Sequence, residues 1–190
     1  MNTSKEAIVN VALKVFGRLG IYKTTMSDIA RAAKKGRRTI YQYFKSKEEV
    51  YQAVLEKETN NMVMPMQEIV EAKMDSARKL RSYVHERIQA IYRIADKHHA
   101  FKVGFIHNDK VILNLRKQFD TIDHGFVKQI LKEGVETQRF HIQDIDMTTK
   151  NILVGLRGME ISFIKNELDK DCKEQLDHYI DMIFRGVLNK

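Results

Sequence analysis

The sequence predicts an all-α fold in two parts, a three-helix head and a longer helical bundle. Apolar residues recur at helical spacing along nearly the whole chain, and no window alternates apolar and polar residues as a half-buried strand does. A single proline, Pro65, interrupts 190 residues, so long helices can run unbroken. Capping pairs at Thr3 and Glu6, Thr25 and Asp28, and Ser46 and Glu49 mark three helix starts early in the chain.

The first helix opens at the Thr3–Glu6 box and closes at Gly20, with Ile8, Val11, Ala12, Val15, Phe16 and Leu19 along one side. The second starts at Met26, its apolar side formed by Ile29, Ala32 and Ala33. Lys34, Lys35 and Gly36 break that pattern, and Gly36 serves as N-cap for a third helix over Arg37–Phe44. Two short helices joined by a three-residue turn containing glycine form a helix-turn-helix. A fourth helix runs from Lys47 through Val50, Ala53, Val54, Lys57 and Met62 to Pro65, which should kink or end it. Asp75 or Ser76 begins another, with Leu80, Val84, Ile88 and Ile91 on one stripe as far as about Lys97. After the segment HHAFKVGFIHND, residues 110–138 read as a long helix carrying Leu115, Phe119, Phe126 and Ile130, and Phe140–Gln143 as an extended loop. Helices over about 146–166 and 171–188 close the chain.

On the third helix, Ile40 and Phe44 share one face and must be buried. Arg38 and Gln42 then point the opposite way, flanked by Thr39 and Tyr41. Arg can bind guanine and Gln adenine through paired hydrogen bonds, while Thr and Tyr reach phosphates or a thymine methyl. A solvated polar face would look the same, and charge decides between the two. Residues 1–47 hold 11 Lys/Arg and 2 acids, a net of +9; of the chain's 33 basic and 25 acidic residues this leaves 22 and 23 elsewhere, a net of −1. An excess confined to the head is the electrostatic footprint of a nucleic-acid-binding domain joined to a neutral one. Thr24 and Thr25 at the start of the second helix and Lys47 at the start of the fourth are the expected phosphate contacts, because helix N-termini attract anions. Together with Arg37, Arg38, Thr39, Tyr41 and Gln42 they form the candidate DNA-binding set.

The run from Ala12 to Tyr51 resembles the N-terminal domain of the tetracycline-repressor (TetR) family of bacterial transcription regulators. The resemblance rests on Ala12, Phe16, Gly20, Thr24-Thr25, Ile29-Ala30, Ala33, Thr39-Ile40-Tyr41, Phe44, Ser46-Lys47-Glu48 and Val50. In the turn, where the family tends to have Gly, an aliphatic residue and Ser or Thr, this chain has Lys34, Lys35 and Gly36. Lys34 must then accept a positive φ, or the turn must differ. The resemblance implies a homeodomain-like DNA-binding domain over residues 1–47 and a helical effector-binding and dimerisation domain over 48–190. It places an effector pocket in the middle segments, with Tyr83, Arg87, Phe105, Phe119 and His124 as candidates. Arg87 and His124 qualify best if they are buried without partners. The resemblance also implies that the last two helices pair across a twofold axis. These helices are apolar more than halfway round, as a helix shared between subunits is, and Ile152, Leu156, Met159, Phe163, Tyr179 and Ile183 are the candidate interface residues. Gly155 and Gly158 would let a neighbouring helix approach closely.

Other classes are disfavoured. The single Cys172 rules out an intrachain disulfide and fits a reducing cytosol; it stands among carboxylates, which disfavour a thiolate. No signal peptide or 18-residue apolar run is present, which points to a cytoplasmic protein without a membrane partner. The seven His include no i, i+4 pair, so no metal site is expected, and no cofactor motif or catalytic motif is found. The combined reading is a homodimeric repressor of a near-palindromic double-stranded DNA operator, released by an unknown small-molecule effector. An adaptor of the same fold, whose head binds DNA without sequence preference, is the alternative; an enzyme built in the helical pocket ranks last.

Overall fold

The computed structural model describes residues 4–97, 110–166 and 170–188. Among them lie eight helices: α1 (Ser4–Leu19), α2 (Met26–Ala32), α3 (Arg37–Tyr43), α4 (Lys47–Glu71), α5 (Ser76–Lys97), α6 (Lys110–Glu136), α7 (Ile145–Asn166) and α8 (Lys170–Val187). The only β-type pairing among the described residues is one isolated antiparallel bridge, Phe140 with Leu188. The chain is all-α. It divides into two compact units, Met1–Asn61 with Ile94–Leu115, and Met62–Arg93 with Arg116–Lys190.

The first unit is the head. Its core joins Ile8, Ala12 and Phe16 of α1 to Met26, Ile29 and Ala30 of α2 and to Ile40 and Phe44 at α3. Three short helices cannot close this core, and α4 supplies Val50, Tyr51, Val54 and Leu55, with Leu115 of α6 also buried in it. The head's core therefore extends past Lys47. The Tyr51 ring meets Phe16 edge-on, centroids 5.4 Å apart, and Lys57 Nζ donates to Asn10 Oδ1 at 2.5 Å. Gly20, at φ +75°, closes α1, its N–H donating to the Phe16 carbonyl, as a glycine in the left-handed region does at a helix C-terminus.

Pro65 lies inside α4, which runs on to Glu71, so the proline does not end the helix as the sequence allowed. Its ring removes the hydrogen bond to the carbonyl of Asn61, an exposed residue.

In the second unit, Met66 and Val70 of α4, Leu80, Val84 and Ile88 of α5, and Val127, Ile130 and Leu131 of α6 are buried together with Ile152 and Leu156 of α7 and Ile180 of α8. Asp75 starts α5, its Oδ1 accepting from the Ala77 and Arg78 N–H groups. Phe140 folds back over Gly134, where a Cβ would overlap the ring. Gly155 on α7 lies under Tyr179 of α8, whose hydroxyl donates to the Ile152 carbonyl at 3.0 Å. The close approach expected at Gly155 is thus filled by the chain's own tyrosine, whereas no atom of the described residues lies near the Cβ direction of Gly158. A Gly155→Ala substitution overlaps the Tyr179 ring and hydroxyl. It is expected to cost about 1–3 kcal/mol in urea unfolding, although Ala favours a helix over Gly; unchanged stability would show that the ring moves aside freely.

Candidate nucleic-acid interface

The head presents α3 on a frame fixed by caps. Thr25 is the N-cap of α2 in a closed capping box: its Oγ1 accepts from the Asp28 N–H, while Asp28 Oδ2 accepts from the Thr25 N–H at 3.0 Å and from its hydroxyl at 2.6 Å. The Thr25 hydroxyl and N–H, aided by Arg31 and Arg18, hold the Asp28 carboxyl below its usual pKa. A depressed carboxyl contributes stability above its unfolded value of 3.8, and loses it as pH falls through the lower folded value. Thr25→Ala should cost about 1 kcal/mol and flatten the acid limb of head unfolding below about pH 4. Circular dichroism across pH 2–6 checks this; an unaltered acid limb would locate the acid sensitivity elsewhere.

The turn of the helix-turn-helix accommodates its lysines. Lys34 adopts φ +51°, the left-handed conformation the sequence demanded of it, and the Lys35 N–H donates to the Ala30 carbonyl at 3.0 Å. Gly36 then caps α3 in an extended conformation. Ile40 and Phe44 are buried as the helical face predicts. Arg37, Arg38, Tyr41 and Gln42 are exposed, and Thr39 is half-buried. Arg37 leans on Tyr41, its guanidinium 5.6 Å from the ring centroid and Nη2 3.4 Å from the hydroxyl. Arg38 and Gln42 make no hydrogen bond or ion pair to the described residues, so their polar ends can bind a ligand without breaking an internal bond.

Two expected phosphate contacts are engaged internally. Thr24 is fully buried and its hydroxyl donates to the Gly20 carbonyl at 2.7 Å. It is a structural cap of the α1–α2 turn and cannot reach a phosphate. Lys47 Nζ donates to the carbonyls of Ile21 and Tyr22, both at 3.1 Å. These bonds answer the dipole conflict at the start of α4, because the ammonium is held by carbonyl oxygens, and they use two of its three donors. The same clamp holds up Tyr22, which is 84% exposed beside Lys23.

The candidate effector residues occupy different environments. Tyr83, Arg87 and Phe119 are buried. Arg87 Nε donates to Asp123 Oδ2 at 2.6 Å, and its Nη1 lies 2.5 Å from Glu160 Oε1, an ion pair off the line of a good hydrogen bond. Arg116 Nη2 donates to Glu160 Oε2 at 2.8 Å, the Tyr83 hydroxyl donates to Asp123 Oδ1 at 2.6 Å, and the Arg87 guanidinium sits 5.5 Å from the Phe119 centroid. Two cations and two anions close this network. Burial works against the charge on Arg87, but Asp123 and Glu160 outweigh it and raise its pKa. Burial pushes the Glu160 carboxyl up against the pull of Arg87 and Arg116, and raises Tyr83 well above its usual value, helped by the Asp123 carboxylate. Arg87 is therefore not an unpaired arginine awaiting an anion. His124 is half-buried and lines a small cavity of about 210 Å³ with Arg87, Lys150 and Arg157. Phe105 lies outside the described residues.

Among the candidate interface residues, Ile152 and Leu156 are core of the chain's own second unit and have no surface to offer a partner. Met159, Tyr179 and Ile183 are half-buried, and the side chain of Phe163 lies outside those described. Among the described residues, the large apolar side chains that α7 and α8 leave in solvent are Met147 at 53%, Val154 at 69% and Met182 at 57%. Periodicity could not separate the two groups because both helices are apolar on more than one side.

Comparison with known proteins agrees with this geometry. Residues 8–54 match the model of bacterial regulatory proteins of the tetR family. The "Fatty acid metabolism regulator protein" of Bacillus subtilis is 21% identical over 96% of this chain and 95% of its own length. A transcriptional regulator from Cytophaga hutchinsonii is similar in structure, with a TM-score of 0.82, 25% identity and coverage of 97% of this chain and 98% of that one. FadR from Bacillus subtilis, solved in complex with stearoyl-CoA, shares the fold at a TM-score of 0.68 and 19% identity, over 95% of this chain and 97% of that one. The matched family is regulatory rather than catalytic. With its capped helix-turn-helix and positively charged head, residues 8–54 form a DNA-binding domain of the tetR family of bacterial regulatory proteins, and the chain as a whole is similar to transcriptional regulators of that family.

Proposed function

We propose that the chain is a homodimeric repressor that reads a near-palindromic operator through α3 and is released by a fatty-acid-derived effector. The observation that carries the reading is the outward face of α3, where Arg38 and Gln42 are exposed and unengaged opposite the buried Ile40. A second copy would cover Val154 and Met182, and two heads on a twofold axis would address two half-sites in successive major grooves. The effector class is drawn from the relatives named for fatty-acid regulation. The cavity of about 210 Å³ beside Arg87 and His124 is too small for a long acyl chain. Such a ligand would have to part α5, α6 and α7, and that differential demand is what shifts a population between two states.

The test titrates the chain against DNA upstream of its own gene and against a scrambled duplex at several salt concentrations. A preference of about a thousandfold is the expected result, with long-chain acyl-CoA, but not free CoA, abolishing it. Equal binding to both duplexes, lost steeply as salt rises, would favour the adaptor reading. Retained operator affinity at saturating acyl-CoA would remove this effector class.

A further inference from the structure

A second cleft lies in the second unit, away from the cavity beside His124. It is an open cleft of about 820 Å³, and its lining includes Arg78 and Arg81 of α5, Arg139 of the α6–α7 loop and Arg185 of α8. Four guanidiniums from three chain segments face two carboxylates, Asp75 and Asp181. That is a local net charge of +2, in the part of the chain that outside residues 1–47 sums to −1. Phe184 and Leu188 give it an apolar wall.

The cleft is prearranged. Arg81 Nη2 donates to Asp181 Oδ1 at 2.6 Å while its guanidinium lies 5.2 Å from the Phe184 centroid. Arg139 pairs with Asp75 at 3.3 Å. Its loop is tied down on both sides, by the Arg139 and Phe140 N–H groups on the Gly134 carbonyl and by the His141 N–H on the Val187 carbonyl at 2.7 Å. Arg78 and Arg185 are exposed, and their guanidiniums form no ion pair or hydrogen bond with the described residues. Both existing ion pairs are about half exposed, so exchanging a carboxylate for a ligand anion costs little. Planar guanidinium forks match phosphate oxygens in pairs, and the spare positive charge asks for a ligand with at least two negative charges. A cleft of this size with one aromatic wall also has room for a ring.

We propose that this cleft binds a small molecule bearing a diphosphate group, of nucleotide size, with the phosphates held by Arg78, Arg139 and Arg185 and the remainder against Phe184. The proposal is independent of how α3 reads DNA.

Isothermal titration of the full chain with ADP, AMP and inorganic pyrophosphate, with sulfate matched for ionic strength, tests it. Saturable binding is expected for ADP and pyrophosphate, weaker binding for AMP and none for sulfate. Arg78→Ala combined with Arg185→Ala should weaken ADP binding at least tenfold, as the loss of charge-assisted hydrogen bonds does. Neither guanidinium makes a hydrogen bond or ion pair with the described residues, so melting temperature and operator affinity should stay close to the wild-type level. Arg185→Lys keeps the charge but loses the fork, and should fall between the two. No saturable heat with ADP or pyrophosphate overturns the proposal. So does equal affinity for sulfate, or wild-type ADP binding by the double variant.

Discussion

Replacing Arg87 by Met is expected to destabilise the protein by about 3–5 kcal/mol, the usual cost of removing one member of a buried ion pair. The substitution leaves the Asp123 and Glu160 carboxylates, each at most 3% exposed, without the guanidinium between them. Asp123 would keep the Tyr83 hydroxyl and Glu160 would keep Arg116, which is 20% exposed. Neither bond replaces the lost charge. The size of the loss comes from the stranded carboxylates rather than from the net worth of the intact pair, so a second variant separates the two. Arg87→Met with Asp123→Asn and Glu160→Gln removes the uncompensated charges together and should recover much of the stability. Urea midpoints of the three proteins decide the matter. A single variant within about 0.5 kcal/mol of wild type would mean that water or local rearrangement already solvates this network. A triple variant worse than the single one would mean that the hydrogen-bond geometry, not the charge balance, holds the helices.

Gln42→Ala should reduce the preference for the native operator over a scrambled duplex by about 5–150-fold, corresponding to the loss of one paired base contact. Gln42 is uncharged and unengaged, so the salt dependence of binding should keep its wild-type slope. Arg38→Ala should lower both the preference and the slope, the latter by about one unit, because it also removes a cation from the phosphate field. Lys47 gives the contrasting case. Its Nζ clamps the Ile21 and Tyr22 carbonyls, so Lys47→Met should lower head stability together with affinity, and lower affinity for both duplexes alike. Fluorescence anisotropy against the two duplexes at three or more salt concentrations measures all of these quantities. A Gln42→Ala protein with an unchanged preference would show that this face of α3 does not read bases. Loss of affinity with no change in preference would assign Gln42 to the backbone.

Much of the fold was legible because its signals are local. The Thr25–Asp28 box, the Gly20 stop and the Gly36 cap each depend on residues within four positions of one another, and each was found where the pattern put it. The inward face of α3 followed from the spacing of Ile40 and Phe44 alone. The misplacements arose where one sequence feature serves two physical ends. Thr24 and Thr25 look alike as helix-start threonines, yet the chain reversal at Gly20 turns one hydroxyl inward and leaves the other as the cap. Pro65, which the sequence left open between a kink and an end, lies inside α4, and Met66 and Val70 are buried beyond it.

What the sequence determined by itself is the helical class, the helix starts, the concentration of positive charge in residues 1–47 and the outward set of α3. All of these follow from short-range periodicity and from counting. Tertiary structure alone decided the partners of charged and polar groups. Arg87, read as a candidate for an effector, meets Asp123 and Glu160 from two other helices, 36 and 73 positions away. Lys47 meets carbonyls 26 and 25 positions back. Arg78, Arg139 and Arg185 share one cleft although no local pattern links them. A side chain's charge is written in its identity, but whether that charge is satisfied or free depends on which distant segments the hydrophobic core brings alongside it.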